Sequence, residues 1–288
     1  QNINPSQHRW QLPTIFSTRD HADYFIDAAG SFWRAMSFIE DSNSYTTVQN
    51  VQHAREAGRA LGRFHHMVSD LDVNKLHDTL EGFHITPQYL RRYDMVRAQN
   101  KIVPEDDYCI QYVAQRREWA SVLEDAKAQN LLSLRAIHGD PKISNIMIDD
   151  TTGQAVSIVD LDTVKPGLIH YDIGDCLRSC CNPLGEETTD VDAVCFDLDL
   201  CQAILQGYLN ESDSFLDEND YAYLYDSVRL IGFELGLRFF TDYLSGNQYF
   251  KVEHEQHNLH RANVQFKLVE SIEAQEGAIR TLIEELSQ

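Results

Sequence analysis

The sequence is short of positive charge. Lys and Arg number 24 against 45 Asp and Glu, giving a formal net charge of −21 at pH 7, and no lysine precedes Lys75. That shortage excludes nucleic acid as a partner, because phosphate backbones are held by basic surfaces. Acidity favours a cationic substrate only where it lines the pocket, and a solvated acidic surface accounts for the balance as well. Long apolar runs are also missing. No stretch approaches the roughly eighteen residues of a membrane helix, and no charged-then-apolar leader is read, so no membrane partner is expected. Cysteine is sparse, with Cys109, Cys176, Cys180, Cys181, Cys195 and Cys201 forming no CxxC pair. Reduced core thiols in a cytoplasmic protein are the expectation. Neither internal repeats nor low-complexity segments occur.

What remains is an ordinary globular composition, with 43% hydrophobic and 24% charged residues in a chain of 288. That length buries a sizeable core in one large domain or two smaller ones. Residues 1–22 are polar and irregular, with Pro5 and Pro13 as breakers. Asp23–Asp27 and Ser31–Ile39 flank Ala28-Ala29-Gly30 and read as a β-hairpin, running into the polar connector Glu40–Ser44. Helical spacing follows over Thr46–Leu71, where Gly58 and Gly62 allow close packing and His65 and His66 read as cap or surface residues. Further helices are expected over Gln88–Gln99 and, after a break at Pro104, Asp107–Gln129. Beyond Asp175 the pattern is almost wholly helical: Asp197–Leu209, Glu218–Tyr243 with an internal break, and Leu259–Leu286 as one helix or a pair. Ser245-Gly246-Asn247 reads as a turn.

Chemistry concentrates between His138 and Arg178. His138-Gly139-Asp140 is followed by Asn145, then by Asp160 at the end of an apolar run, then by Asp172. Asn145–Asp149 and Ala155–Val159 flank an Asp/Thr/Gly turn, so they form a hairpin that brings Asn145, at the start of one strand, close to Asp160 at the end of the other. An Asn and an Asp together offer hard oxygen ligands, which suit Mg²⁺ carrying substrate phosphates. Asp140 would sit beside that metal as acceptor of a hydroxyl proton. This is the catalytic-loop and metal-Asp arrangement of protein-kinase-like phosphotransferases. In such a fold the connector after the first hairpin is a hinge whose backbone meets a purine edge, making Phe38, Ile39 and Glu40 nucleotide-binding candidates. A rival reading, the phosphatase signature DxDxT at Asp160-Leu161-Asp162-Thr163, fails because the Thr falls one position early. His254, His257 and His260 on one helix would leave the outer two about 120° apart, so a surface or pocket-rim role outranks zinc.

With these residues in view, the chain resembles the aminoglycoside phosphotransferase and choline kinase-like superfamily, and within it most resembles the N-acetylhexosamine 1-kinases. Phe32–Glu40 looks like that family's hinge strand, and Leu237–Gly246 like its late helix and turn. Tyr249-Phe250 and His257–Phe266 follow at the family's distance, so the likeness runs from about Thr14 to the end. It implies an α+β, protein-kinase-like fold: residues 1–40 as an incomplete β-rich N-lobe ending in the hinge, and 41–288 as a large helical C-lobe. It implies ATP- and Mg²⁺-dependent phosphorylation of the anomeric C1 hydroxyl of an N-acetylhexosamine. Asp140 would be the catalytic base, Asn145 and Asp160 the Mg²⁺ ligands, and His138 and Asp172 structural supports of the loop. Arg238 and Tyr249 match positions lining the sugar pocket, where a forked donor and a stacking face suit a neutral sugar.

Three alternatives stand beside it: an aminoglycoside-type kinase, a choline-type kinase, and a non-catalytic kinase-like binding protein. The last is motivated by a departure from the family, since neither a GxGxxG loop nor a lysine precedes the hinge. Only Arg9, Arg19 and Arg34 carry fixed positive charge there. The chain is expected to be either a fragment or a relative that binds nucleotide poorly.

Overall fold

The computed structural model describes residues 9–99, 107–212 and 215–287. The breaks assigned to Pro5 and Pro104 lie outside them. Four two-residue strands open the described chain: β1 (Ile15–Phe16), β2 (Phe25–Ile26), β3 (Phe32–Trp33) and β4 (Ala35–Met36). They pair antiparallel, β2 with β3 and β1 with β4. The hairpin turn forms because Asp27 accepts hydrogen bonds from the amides of Ala29 and Ser31, while Gly30 takes a left-handed φ of 84°. Two expectations need correcting. The run at 31–39 splits at Arg34 between two partners, and residues 15–16 of the segment read as irregular join it, locked by the Ser37 amide on the Thr14 carbonyl. Phe16, Phe25, Phe32, Trp33 and Phe38 all stand exposed.

The connector is also more structured than its composition suggests. Within it, β5 (Ser42–Asn43) joins the sheet of the hairpin read at 145–159, with Ser42 opposite Asp149. Helix α1 (Val51–Met67) follows, started by Asn50, whose side chain accepts from the His53 amide. Then come α2 (Thr86–Gln99), α3 (Asp107–Arg116) and α4 (Val122–Ala128). A tight turn at Arg117–Trp119 separates the last two, so the single helix expected over 107–129 is broken; the turn sets Trp119 against Phe233, ring centroids 5.2 Å apart.

Next in order are β6 (Arg135–Ile137), β7 (Ile146–Asp149), β8 (Ala155–Ile158) and β9 (Lys165–Gly167). The three-stranded sheet runs β5-β7-β8, and β6 pairs with β9 around it. The β6–β9 pair is legible only in the structure, because three-residue strands carry no period.

Five buried or half-buried helices complete the chain: α5 (Ile169–Cys180), α6 (Leu198–Ser212), α7 (Glu218–Ala222), α8 (Leu224–Leu244) and α9 (His257–Ala274), with α10 (Glu276–Leu286) last. The break expected within 218–243 falls at Tyr223, after an Asp217/Asp220 capping box starts α7. Helices α1 and α6 cross in near-contact: a Cβ on Gly58 would lie 1.9 Å from the Ile204 carbonyl oxygen, and one on Gly207 2.0 Å from that of Arg55. Helix α8 is buried against α5, α9 and α2. The core is continuous across these elements, from Ala54 on α1 to Ile283 on α10. Five cysteines are buried and Cys195 is exposed, with no disulfide among the described residues. No described helix is long and apolar enough to cross a membrane.

Candidate active site

The loop between β6 and β7 carries His138, Gly139 and Asp140, and three neighbours fix its backbone. Asp172, in the first turn of α5, is fully buried; its Oδ2 accepts the His138 amide at 2.6 Å and its Oδ1 the Gly139 amide at 2.8 Å. Burial opposes charge on Asp172, but His65, His138 and the Gly139 amide outweigh it and hold the carboxyl below its usual range. The Thr163 hydroxyl donates to the His138 carbonyl at 2.7 Å. Gly139 sits at φ 89°, where a Cβ would meet the Thr163 carbonyl oxygen at 2.7 Å, so no other residue fits the turn.

His138 ties the loop to the hairpin. Its Nδ1 accepts the Asp140 amide at 3.3 Å, which leaves Nε2 to donate to the Val159 carbonyl at 2.9 Å. Val159 in turn donates its amide to the Asn145 carbonyl at 2.8 Å, so Asn145 and Asp160 lie at the same end of the β7–β8 hairpin. Asn145 gives its Nδ2 to the carbonyl of Asp140 at 2.8 Å and to the Asp140 carboxylate at 3.3 Å, which leaves its Oδ1 as the available ligand atom. Asp160 is exposed and left-handed, φ 65° and ψ 50°, a conformation that costs a non-glycine residue and turns the chain sharply at the strand end. Among the described residues no three His, Cys, Asp or Glu side chains converge on a metal position. One carboxylate and one amide oxygen suit Mg²⁺, which keeps most of its shell for phosphates and water.

Asp140 is partly buried and bonds Lys142. Burial raises its proton affinity, and so does the nearby charge of Asp175; Lys142 and Arg178 act against both. A carboxylate so placed is a stronger base than a solvated one. It lines a cavity of about 460 Å³ together with Arg238, Phe239, Tyr249 and Phe250. The Arg238 guanidinium stands over the rings of Phe83, Tyr89 and Phe250, 5.0, 5.1 and 5.5 Å from their centroids. Four carboxylates line the cavity against five Lys and Arg side chains, so the excess negative charge of the chain does not collect there. A larger recess of about 690 Å³ between α7 and α10 holds none of these residues.

The hinge candidates lie apart from the Asp140 cavity. Phe38 is exposed and Ile39 buried, and the Ile39 carbonyl already accepts the Ser42 hydroxyl at 2.8 Å. Arg9 binds the Glu40 carbonyl and reaches Asp149 at 2.9 Å, stitching hinge to hairpin. Arg34 pairs with Asp162 in the loop after Asp160.

Several residues escaped the sequence. His65 is neither cap nor surface: it is buried, with Nε2 2.9 Å from Asp172 Oδ2 and Nδ1 2.9 Å from the Tyr208 hydroxyl. The Asp175–Arg178 and His84–Glu234 pairs, which both line the cavity, were not singled out from the sequence. For Asp175 and Arg178 a signal existed, since acid and base three apart on a helix face each other. The three histidines do not share a helix face: His254 precedes α9, whereas His257 pairs with Glu187 at 2.7 Å.

A family model described as the phosphotransferase enzyme family matches residues 11–194. Solved structures similar to the chain include an aminoglycoside phosphotransferase from Alicyclobacillus acidocaldarius, at 15% identity and a TM-score of 0.61 over 95% of this chain and 78% of that one. A choline kinase from Cryptosporidium parvum aligns at 14% identity and 0.58 over 96% and 78%. An amicoumacin kinase in complex with AMP-PNP, Ca²⁺ and Ami aligns at 16% and 0.53 over 96% and 72%. At such identities the likeness is one of fold: a small sheet lobe followed by a helical body.

Proposed function

The chain belongs to the phosphotransferase enzyme family, and on that premise we propose that it transfers the γ-phosphoryl group of ATP to the anomeric C1 hydroxyl of an N-acetylhexosamine. The observation that carries this reading is one cavity shared by Asp140 and the wall of Arg238 and Tyr249. Asp140 accepts the proton of the attacking hydroxyl. Arg238, held among three rings, supplies a forked donor to sugar oxygens, and Tyr249 a face for the ring. Asn145 and Asp160 would hold Mg²⁺, which when bound neutralises charge on the phosphates. Lys142 lies against Asp140 and adds positive charge where the transferred group must pass. The Phe38–Glu40 backbone meets the purine. Most of the rate then comes from positioning and charge neutralisation.

A cationic acceptor, the choline- or aminoglycoside-type alternative, is disfavoured by Arg238, whose charge would face it across the cavity. The test is a coupled ADP-release assay at fixed ATP and Mg²⁺ with N-acetylglucosamine, N-acetylgalactosamine, kanamycin and choline, using Asp140→Asn as control. Turnover on an amino sugar, lost in the variant, is expected. Turnover on kanamycin or choline alone would sink the sugar assignment, and none on any acceptor by the folded protein would favour the binding-protein alternative.

A further inference from the structure

Beside the loop that carries Asp140, His84 and Glu234 border the same cavity, and the proton transfer proposed above assigns them no part. His84 is buried, and its backbone is left-handed at φ 65°. A histidine bent that way costs of order 1 kcal/mol or more, and persists only where the surroundings hold it. Both ring nitrogens face acceptors. Nδ1 lies 3.0 Å from Glu234 Oε1, and Nε2 lies 2.9 Å from the backbone carbonyl of Gly139. The other Glu234 oxygen accepts the hydroxyl of buried Thr86 at 2.7 Å. A carbonyl never donates, and a carboxylate donates only if protonated. Two acceptors on one imidazole therefore call for two N–H groups.

We propose that His84 is an imidazolium at neutral pH which, clamped by Glu234, holds the Gly139 carbonyl and thereby orients Asp140. It is a positioning residue, and its part in catalysis rests on the kinase reading above. Charged and titratable groups around it are Glu234 on α8, Asp175 and Tyr171 on α5, Tyr89 on α2, and Asp140 and Lys142 of the loop, with Arg238 beyond Phe83. Burial works against the charge, but the carboxylate of Glu234, then Asp175 and the Gly139 carbonyl, outweigh it and raise the proton affinity of the ring. The clamp is therefore intact below the ordinary imidazole range and at neutral pH, and is lost as pH rises through the raised value.

Ring nitrogen-15 spectra of the whole chain labelled at histidine, with His84→Gln identifying the signal, decide the first half. Both nitrogens should carry protons at neutral pH, and Glu234→Gln should lower the pH at which one is lost. A ring with an unprotonated Nδ1 at neutral pH would overturn the proposal, since Glu234 would then hold the proton. The carbonyl carbon-13 shift of Gly139 decides the second half: it should follow the ring titration in the native chain and lose that dependence in His84→Gln. A carbonyl indifferent to the ring overturns the positioning role, and both spectra are read without turnover. With an acceptor in hand, His84→Gln should lower kcat about tenfold with KM for ATP unchanged, and Glu234→Gln should move the alkaline fall of kcat to lower pH. An alkaline limb that stays in place overturns the catalytic link. Failure of every acceptor alongside a protonated ring and a responsive carbonyl would overturn that link with the kinase reading, leaving the clamp itself standing.

Discussion

His65 on α1 and Asp172 on α5 meet at 2.9 Å in the interior of the helical body, both screened from solvent. The same carboxylate takes the amides of His138 and Gly139, so α1, α5 and the His138–Asp140 loop are fastened at a single side chain. Tyr208 on α6 extends the chain of bonds through the other nitrogen of His65. The crossing of α1 and α6 thus bears on the loop as well as on the core.

Removing that carboxylate should be costly. Asp172→Ala leaves two buried amides and a histidine without their acceptor, and the expected loss is about 3–5 kcal/mol, the range for breaking one side of a buried pair. Guanidinium unfolding monitored by circular dichroism measures it. A loss below that of an ordinary surface substitution would mean that the loop is held elsewhere.

The same group sets a pH dependence. Its folded proton affinity is depressed, so its contribution is complete above the unfolded carboxyl value of about 3.9 and is lost as pH falls through the lower folded value. Stability of the native chain should therefore fall toward acid with a component that Asp172→Asn removes. Parallel acid profiles for native and variant proteins would contradict the assignment.

The close crossing predicts a second stability effect. Gly58→Ala places a methyl group 1.9 Å from a backbone carbonyl, where only separation of the helices makes room. Overpacking of this kind costs about 1–3 kcal/mol, read as a lowered Tm. Gly277→Ala meets nothing within 4 Å and serves as the control.

Glycines at helical spacing were legible in the sequence because a missing side chain within an apolar stripe has few uses other than close approach. The β7–β8 hairpin was legible too, since strand alternation and an Asp/Thr/Gly turn agree. Asp172 could be singled out, and its place beside the loop follows once α5 is folded back. His65 was not legible, because its polarity at a helix end is equally that of a cap; only the tertiary position of Asp172 makes it a core residue. His84 and Glu234 lie 150 positions apart, and no local pattern joins them. The strand at Ser42–Asn43 was hidden for a related reason. Its pairing partner, the end of β7, supplies the order that its own polar composition does not.

Arg238, which shares the cavity with Asp140, yields the prediction that separates acceptor classes. Arg238 has three aromatic neighbours, and the cavity it faces is close to charge-balanced although the whole chain is strongly acidic. For a neutral sugar, Arg238→Ala removes a forked donor and should raise the acceptor KM roughly tenfold, about 1.4 kcal/mol, with KM for ATP unchanged. Arg238→Lys should recover little, because an ammonium neither stacks among rings nor donates in a plane. For a cationic acceptor the sign reverses: Arg238→Ala removes a like charge and should lower the KM for choline or kanamycin. Steady-state kinetics on both acceptor classes with the same two variants therefore reads the charge preference of the cavity directly. A fall in KM for the cation, with no rise for the sugar, would transfer the assignment to the cationic class.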